Sequence, residues 1–143
     1  MRPPAALTAV AVLLVFAGAA AAKGPDRARV CGAKCRTITG DRQVYPLIDS
    51  WSSKRFVQAD VPRPAPYFTF SIDSTRGESG RWLLVWVPSK RLMRVTQTGV
   101  PPYQTATLGP YWRPVPPAAR SRFAGAARGL RPHAPVRGWR ISA

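Results

Sequence analysis

Few residues in this sequence have the types that do chemistry, and their spacing limits what they can do. His133 is the only histidine, and it lies between Pro132 and Pro135 in a proline-rich stretch. A Ser/His/Asp or Cys/His nucleophilic site would have to recruit it. The acids Asp26, Asp41, Asp49, Asp60, Asp73 and Glu78 are the six in the chain, and no spacing singles out a pair for glycosidase-type hydrolysis. Two cysteines and one distant histidine leave a zinc site short of its four ligands. No glycine pattern follows a strand and opens a helix as a phosphate cradle does. The sequence nominates no catalytic residue, no metal ligand and no cofactor. The expectation is a non-enzymatic protein, with a secreted hydrolase or redox enzyme as the least favoured class.

Two groups of residues remain. Cys31 and Cys35 are the only cysteines, and an even count in an oxidising compartment predicts a bridge. Gly32 gives the three-residue loop the freedom to bring their Cα atoms close enough. The loop is short, so the bridge acts as a local staple. The competing reading, a redox-active pair, lacks Cys-x-x-Cys spacing and a helix to lower a thiol pKa. The second group is basic. Arg120, Arg122, Arg128 and Arg131 lie on and just after a C-terminal helical stripe, and Arg137 and Arg140 continue the series with Trp139 between them. Arginine interleaved with an aromatic ring can grip phosphates and stack on planar groups. The alternative is a solvated helix face followed by a basic tail.

Lys and Arg number 22 against 6 Asp and Glu, a formal net charge of +16. Such a field attracts nucleic acid, acidic lipid or acidic wall polymer. A GC-rich composition, visible in the abundance of Ala, Pro, Gly and Val, explains arginine over lysine but not the shortage of acids. The beginning of the chain narrows the partner. Arg2 and the amino terminus precede an uncharged stretch from Ala5 to Ala22, apolar at Val10–Phe16 and ending in small residues suited to signal peptidase. Residues 1–22 therefore read as a signal peptide. No cysteine follows it at once, so no lipobox is present. The alternative is a retained anchor over residues 5–22, which as a helix would span about 27 Å. An exported protein has little call for nucleic acid, and the expected partner is anionic cell-envelope polymer or lipid. The expected location is secreted or extracytoplasmic.

The elements behind these residues read as one α+β domain over residues 31–131, with a flexible approach at 23–30 and a basic Pro/Arg tail at 132–143. Residues 35–39 predict a strand. Val44, Leu47, Ile48 and Trp51 share one helical face, and Pro46, tolerated only in a first turn, places the helix start close to Tyr45. Val61–Pro66 is a stiff connector. Phe68, Phe70 and Ile72 alternate with Thr69, Ser71 and Asp73 as in a half-buried strand. A seven-residue loop then leads to Arg81–Val87, apolar on both faces like a central strand. Leu92–Thr96 adds another strand, and Tyr111–Arg113 a short one. Pro116 and Pro117 start a helix whose stripe holds Val115, Ala119, Phe123, Ala126, Ala127 and Leu130, and Gly129 with Pro132 stops it. The expected architecture is a small antiparallel sheet of three to five strands, with a short first helix and one C-terminal helix packed on it. Trp51, Phe68, Phe70, Ile72, Leu84, Trp86, Val95 and Phe123 form the expected core.

At Cys31-Gly32-Ala33-Lys34-Cys35-Arg36, Pro66-Tyr67, Val87-Pro88-Ser89 and Tyr111-Trp112 before the alanine-rich helix, the chain resembles uncharacterised small secreted proteins of high-GC actinobacteria. The resemblance implies export and a disulfide, and supplies no activity.

Overall fold

A computed structural model describes residues 24–75, 80–100 and 106–141. The leader read at residues 1–22 lies outside them, as does most of the expected loop before Arg81. The described chain is α+β. In order it forms β1 (Arg27–Cys31), β2 (Cys35–Thr39), α1 (Asp41–Ser52), β3 (Phe68–Asp73), β4 (Arg81–Val87), β5 (Leu92–Val100), β6 (Ala106–Pro114) and α2 (Pro117–Ala126). The strands make one antiparallel sheet in the order β2-β1-β3-β4-β5-β6. Six strands exceed the three to five expected, and the additional one is β1, at the N-terminal end of the described residues.

The first correction concerns residues 27–30. They were expected to be a flexible approach but form most of β1, which pairs with β2 on one side and β3 on the other. Ala28 and Val30 are fully buried, while Arg27 and Arg29 alternate to the opposite, exposed face. Period-two alternation is what a half-buried strand requires. Gly32, Ala33 and Lys34 close the β1–β2 hairpin, and Gly32 N–H donates to the Lys34 carbonyl at 2.9 Å. Cys31 and Cys35 are directly opposed across it and are joined by a disulfide. Gly32 is required by close approach, since an added Cβ would lie 1.9 Å from the Arg131 carbonyl oxygen.

Helix α1 starts at Asp41, four residues before the expected start, and Pro46 sits inside it. A proline there removes one intrahelical bond and costs about 3 kcal/mol. Burial of Val44, Leu47, Ile48 and Trp51 on the sheet offsets that cost, at roughly 1.5–3 kcal/mol for each large apolar side chain. Strand β6 is also longer than the Tyr111–Arg113 expected from sequence. Its Pro110 and Pro114 read as breakers, but β6 is an edge strand and has one side free of ladder bonds, where proline is tolerated. Gly109 has φ +91°, and an added Cβ would lie 2.4 Å from the Val95 carbonyl oxygen, so this position needs glycine.

Helices α1 and α2 cover one face of the sheet. All eight expected core residues belong to this layer. Phe70, Trp86 and Phe123 form its aromatic centre, with ring centroids 4.9–6.4 Å apart. Arg113 is the exception, a cation only 4% exposed. It donates to the Trp51 carbonyl at 3.1 Å and lies 5.1 Å from the Trp51 ring.

The second face carries its own cluster, in which Tyr67, Val85, Val87, Trp112 and Trp139 are buried together. Its cover is the connector before β3 and the C-terminal segment. His133 and Tyr67 exchange backbone hydrogen bonds of 2.8 and 3.3 Å, and Trp139 Nε1 donates to the Pro62 carbonyl at 2.7 Å. Arg94 donates to the Trp139 carbonyl at 2.9 Å. Residues 133–141 are thus an integral layer of the fold rather than a tail beyond a domain ending at 131. Among the described residues no helix is long and apolar enough to cross a membrane.

Candidate functional site

The C-terminal segment covers only the β4–β6 half of the second face. Over β1, β2 and β3 this face stays open, and directly opposed residues of neighbouring strands present their side chains on it together. One file across the strands runs Thr37, Arg29, Ser71, Leu83. The file beside it contains Cys35, Cys31 and Thr69. On the other side Arg27 stands opposite Asp73. Arg140 and Ile141 border this surface where the C-terminal segment ends, and Tyr67 and His133 form the wall. Together they enclose a cleft of about 750 Å³.

The cleft is electropositive. Four guanidiniums, of Arg27, Arg29, Arg81 and Arg140, line it against the single carboxylate of Asp73. Arg27 holds Asp73 in a two-pronged grip, Nε to Oδ1 and Nη2 to Oδ2, both 2.8 Å. Arg81 Nη2 lies 3.6 Å from Oδ2. The hydrogen bond from Arg27 is the main reason that the Asp73 carboxyl stays below its ordinary pKa, with the charges of Arg27 and Arg81 adding to it against partial burial. The same bond raises Arg27. Asp73 is thereby occupied, while among the described residues no carboxylate pairs with Arg29 or Arg140. Behind the wall, burial raises the Tyr67 phenol and lowers the Arg94 guanidinium, and each charge partly offsets the other's shift.

Of the residues nominated from sequence, the cleft gathers Cys31, Cys35 and Arg140. The others do not converge there. Arg120, Arg122 and Arg128 lie on or just after α2, across the sheet from the cleft. Arg122 borders a shallower depression of about 440 Å³ between the two helices, with Arg42. The Arg131 carbonyl accepts a 2.8 Å hydrogen bond from Ala33 N–H, and Arg137 is exposed in a short 3-10 turn. Trp139 is corrected as a stacking platform. It is 4% exposed, and Trp112 lies 5.0 Å away, centroid to centroid. Its indole anchors the chain.

Arg27, Arg29 and Arg81 were missed. The signal was the alternation Arg27-Ala28-Arg29-Val30, which places two arginines on one face as soon as the segment is read as a strand. The His133 ring stacks on Tyr67 at 4.8 Å. Among the described residues it makes no hydrogen bond to a hydroxyl or carboxylate, and no three His, Cys, Asp or Glu side chains cluster as metal ligands. The donor set of the cleft, guanidinium and hydroxyl groups on a rigid sheet, suits the capture of oxyanions.

No protein-family model, curated protein or solved structure matches this chain.

Proposed function

We propose that the chain is exported, loses residues 1–22, and acts outside the cytoplasm as a non-enzymatic binding module for anionic envelope material. The observation that carries this reading is the open sheet face. There Arg29 and Arg140 border a concave, hydroxyl-lined cleft without a carboxylate partner among the described residues. A net charge of +16 adds a long-range field that steers polyanions toward it. The disulfide between Cys31 and Cys35 is compatible with an extracellular location.

Retention of the mature protein on isolated envelopes, measured across a salt series, tests the proposal. Screening shortens from about 10 Å at 0.1 M to about 3 Å at 1 M salt, so retention is expected to fall steeply across that range. Absent or salt-insensitive retention rejects the reading. The intact mass of the native product checks the export step, with an expected amino terminus near Lys23 and two hydrogens fewer than the reduced chain.

A further inference from the structure

We infer that the cleft on the open sheet face takes a phosphate-bearing, polyhydroxylated chain, a sugar- or polyol-phosphate polymer, with Arg29 as its central phosphate contact. This rests on the reading of the protein as an envelope-binding module and names the ligand class and its seat.

Three features of the cleft select that chemistry. The first is the surroundings of Arg29. Its opposed neighbours are Thr37 on β2 and Ser71 on β3, with side chains about 5 Å to either side on the same face. Hydroxyl groups therefore stand on either side of the Arg29 side chain, on the face it shares with them. A tetrahedral phosphate, whose oxygens diverge, can accept from all three groups. A planar carboxylate is satisfied by the fork of one arginine, as Asp73 is by Arg27. The second is the spread of donors. Arg140 borders the same cleft from the C-terminal segment, and the lining it shares with Arg29 includes the hydroxyl of Thr69. Two cations from different elements in one hydroxyl-lined cleft suit a polymer with one charge per repeat and hydroxyls between charges.

The third feature is shape, which decides against the other polyanions. A bilayer surface needs a flat or protruding basic patch with apolar side chains to insert, whereas this site is recessed. Single-stranded nucleic acid needs exposed rings on which bases stack. Tyr67 of the wall is 5% exposed and is engaged by His133 and Trp139, with centroids 4.8 and 5.8 Å away, and the His133 ring is itself stacked on it.

The test uses the full mature chain and three probes at equal anion concentration: poly(glycerol phosphate), polygalacturonate, and phosphatidylglycerol vesicles. Binding is measured by calorimetry at about 0.1 M salt. The double variant R29A/R140A is compared with R122A/R128A, which removes the same charge from the helix side of the sheet. Poly(glycerol phosphate) is expected to bind at least tenfold more tightly than polygalacturonate or the vesicles. R29A/R140A should weaken it by tenfold or more, and R122A/R128A by less than threefold. Equal or tighter binding of either other probe, or equal losses for the two double variants, overturns the inference. Envelope retention separates the two levels. If the wild type is retained in a salt-dependent way and R29A/R140A is retained equally, the cleft assignment fails while the envelope reading stands. If the wild type is not retained, the envelope reading itself fails.

Discussion

Replacing Trp139 by alanine measures whether the last residues of the chain hold the domain together. The indole is 4% exposed and packs against Trp112 and Tyr67 with centroids 5.0 and 5.8 Å away. Its Nε1 donates to the Pro62 carbonyl at 2.7 Å, so one side chain ties the C-terminal segment both to the sheet and to the connector before β3. Truncating a buried tryptophan costs about 3–5 kcal/mol, a large part of the roughly 5–15 kcal/mol that keeps a domain folded. For a domain of this size each kcal/mol lowers Tm by about 4 °C. W139A should therefore melt about 12–20 °C below the wild type in calorimetry. W139F keeps most of the apolar area and loses the hydrogen bond, so its deficit should be about 1–2 kcal/mol. Trypsin should also cut W139A faster at Arg137, because losing the Trp139 anchor frees the turn that carries this exposed residue. A W139A midpoint within about 2 °C of wild type would refute the reasoning, because the second-face layer would then be dispensable.

Arg113 is a buried cation with no carboxylate partner among the described residues, and the Trp51 carbonyl it bonds also accepts from Lys54 N–H. R113M should therefore be neutral or stabilising, within about 1 kcal/mol in urea titrations, and a loss above about 3 kcal/mol would contradict this. G32A drives a methyl into the Arg131 carbonyl and should lower the unfolding free energy by about 1–3 kcal/mol through overpacking, read as a reduced denaturant midpoint. The Asp73 carboxyl lies below its unfolded value. Its contribution is complete above the unfolded pKa of about 3.9 and is lost as pH falls through the lower folded value. D73N should thus flatten the acid limb of stability against pH below about 4, and an unchanged slope counts against the pairing. The Cys31–Cys35 loop is short, so chain entropy predicts that C31S/C35S costs only about 2 kcal/mol, and the variant should still fold cooperatively in urea.

The hairpin of β3 and β4 was legible because each strand announces itself locally. Phe68, Phe70 and Ile72 alternate, and Leu84 to Val87 are apolar on both faces. Helix α2 was legible from its prolines and its stripe. Three elements were obscured by local rules that tertiary context overrides. Arg27 and Arg29 make β1 look like a polar approach, although Ala28 and Val30 between them are the buried set. Pro46 argued against four residues of α1 that the buried face of the helix retains. Gly109 and Pro110 argued against β6, which tolerates them because it is an edge. The cleft was the least legible part. Arg29, Ser71 and Leu83 come from three strands, and only the register of the sheet aligns them. Arg140 joins them through the packing of Trp139.

The position of β1 within the sheet has a consequence for how the chain matures. The first described strand lies inside the sheet, and residues 133–141 complete the layer on its second face. A fragment ending before α2 lacks Phe123 from the helix-side layer, and one ending before residue 133 lacks Trp139 from the other. Both layers therefore depend on contacts between parts of the sequence that lie far apart. Contacts of such wide sequence separation also slow collapse. The domain pays for this delay with a longer exposure of Phe70 and Trp86 to unwanted association.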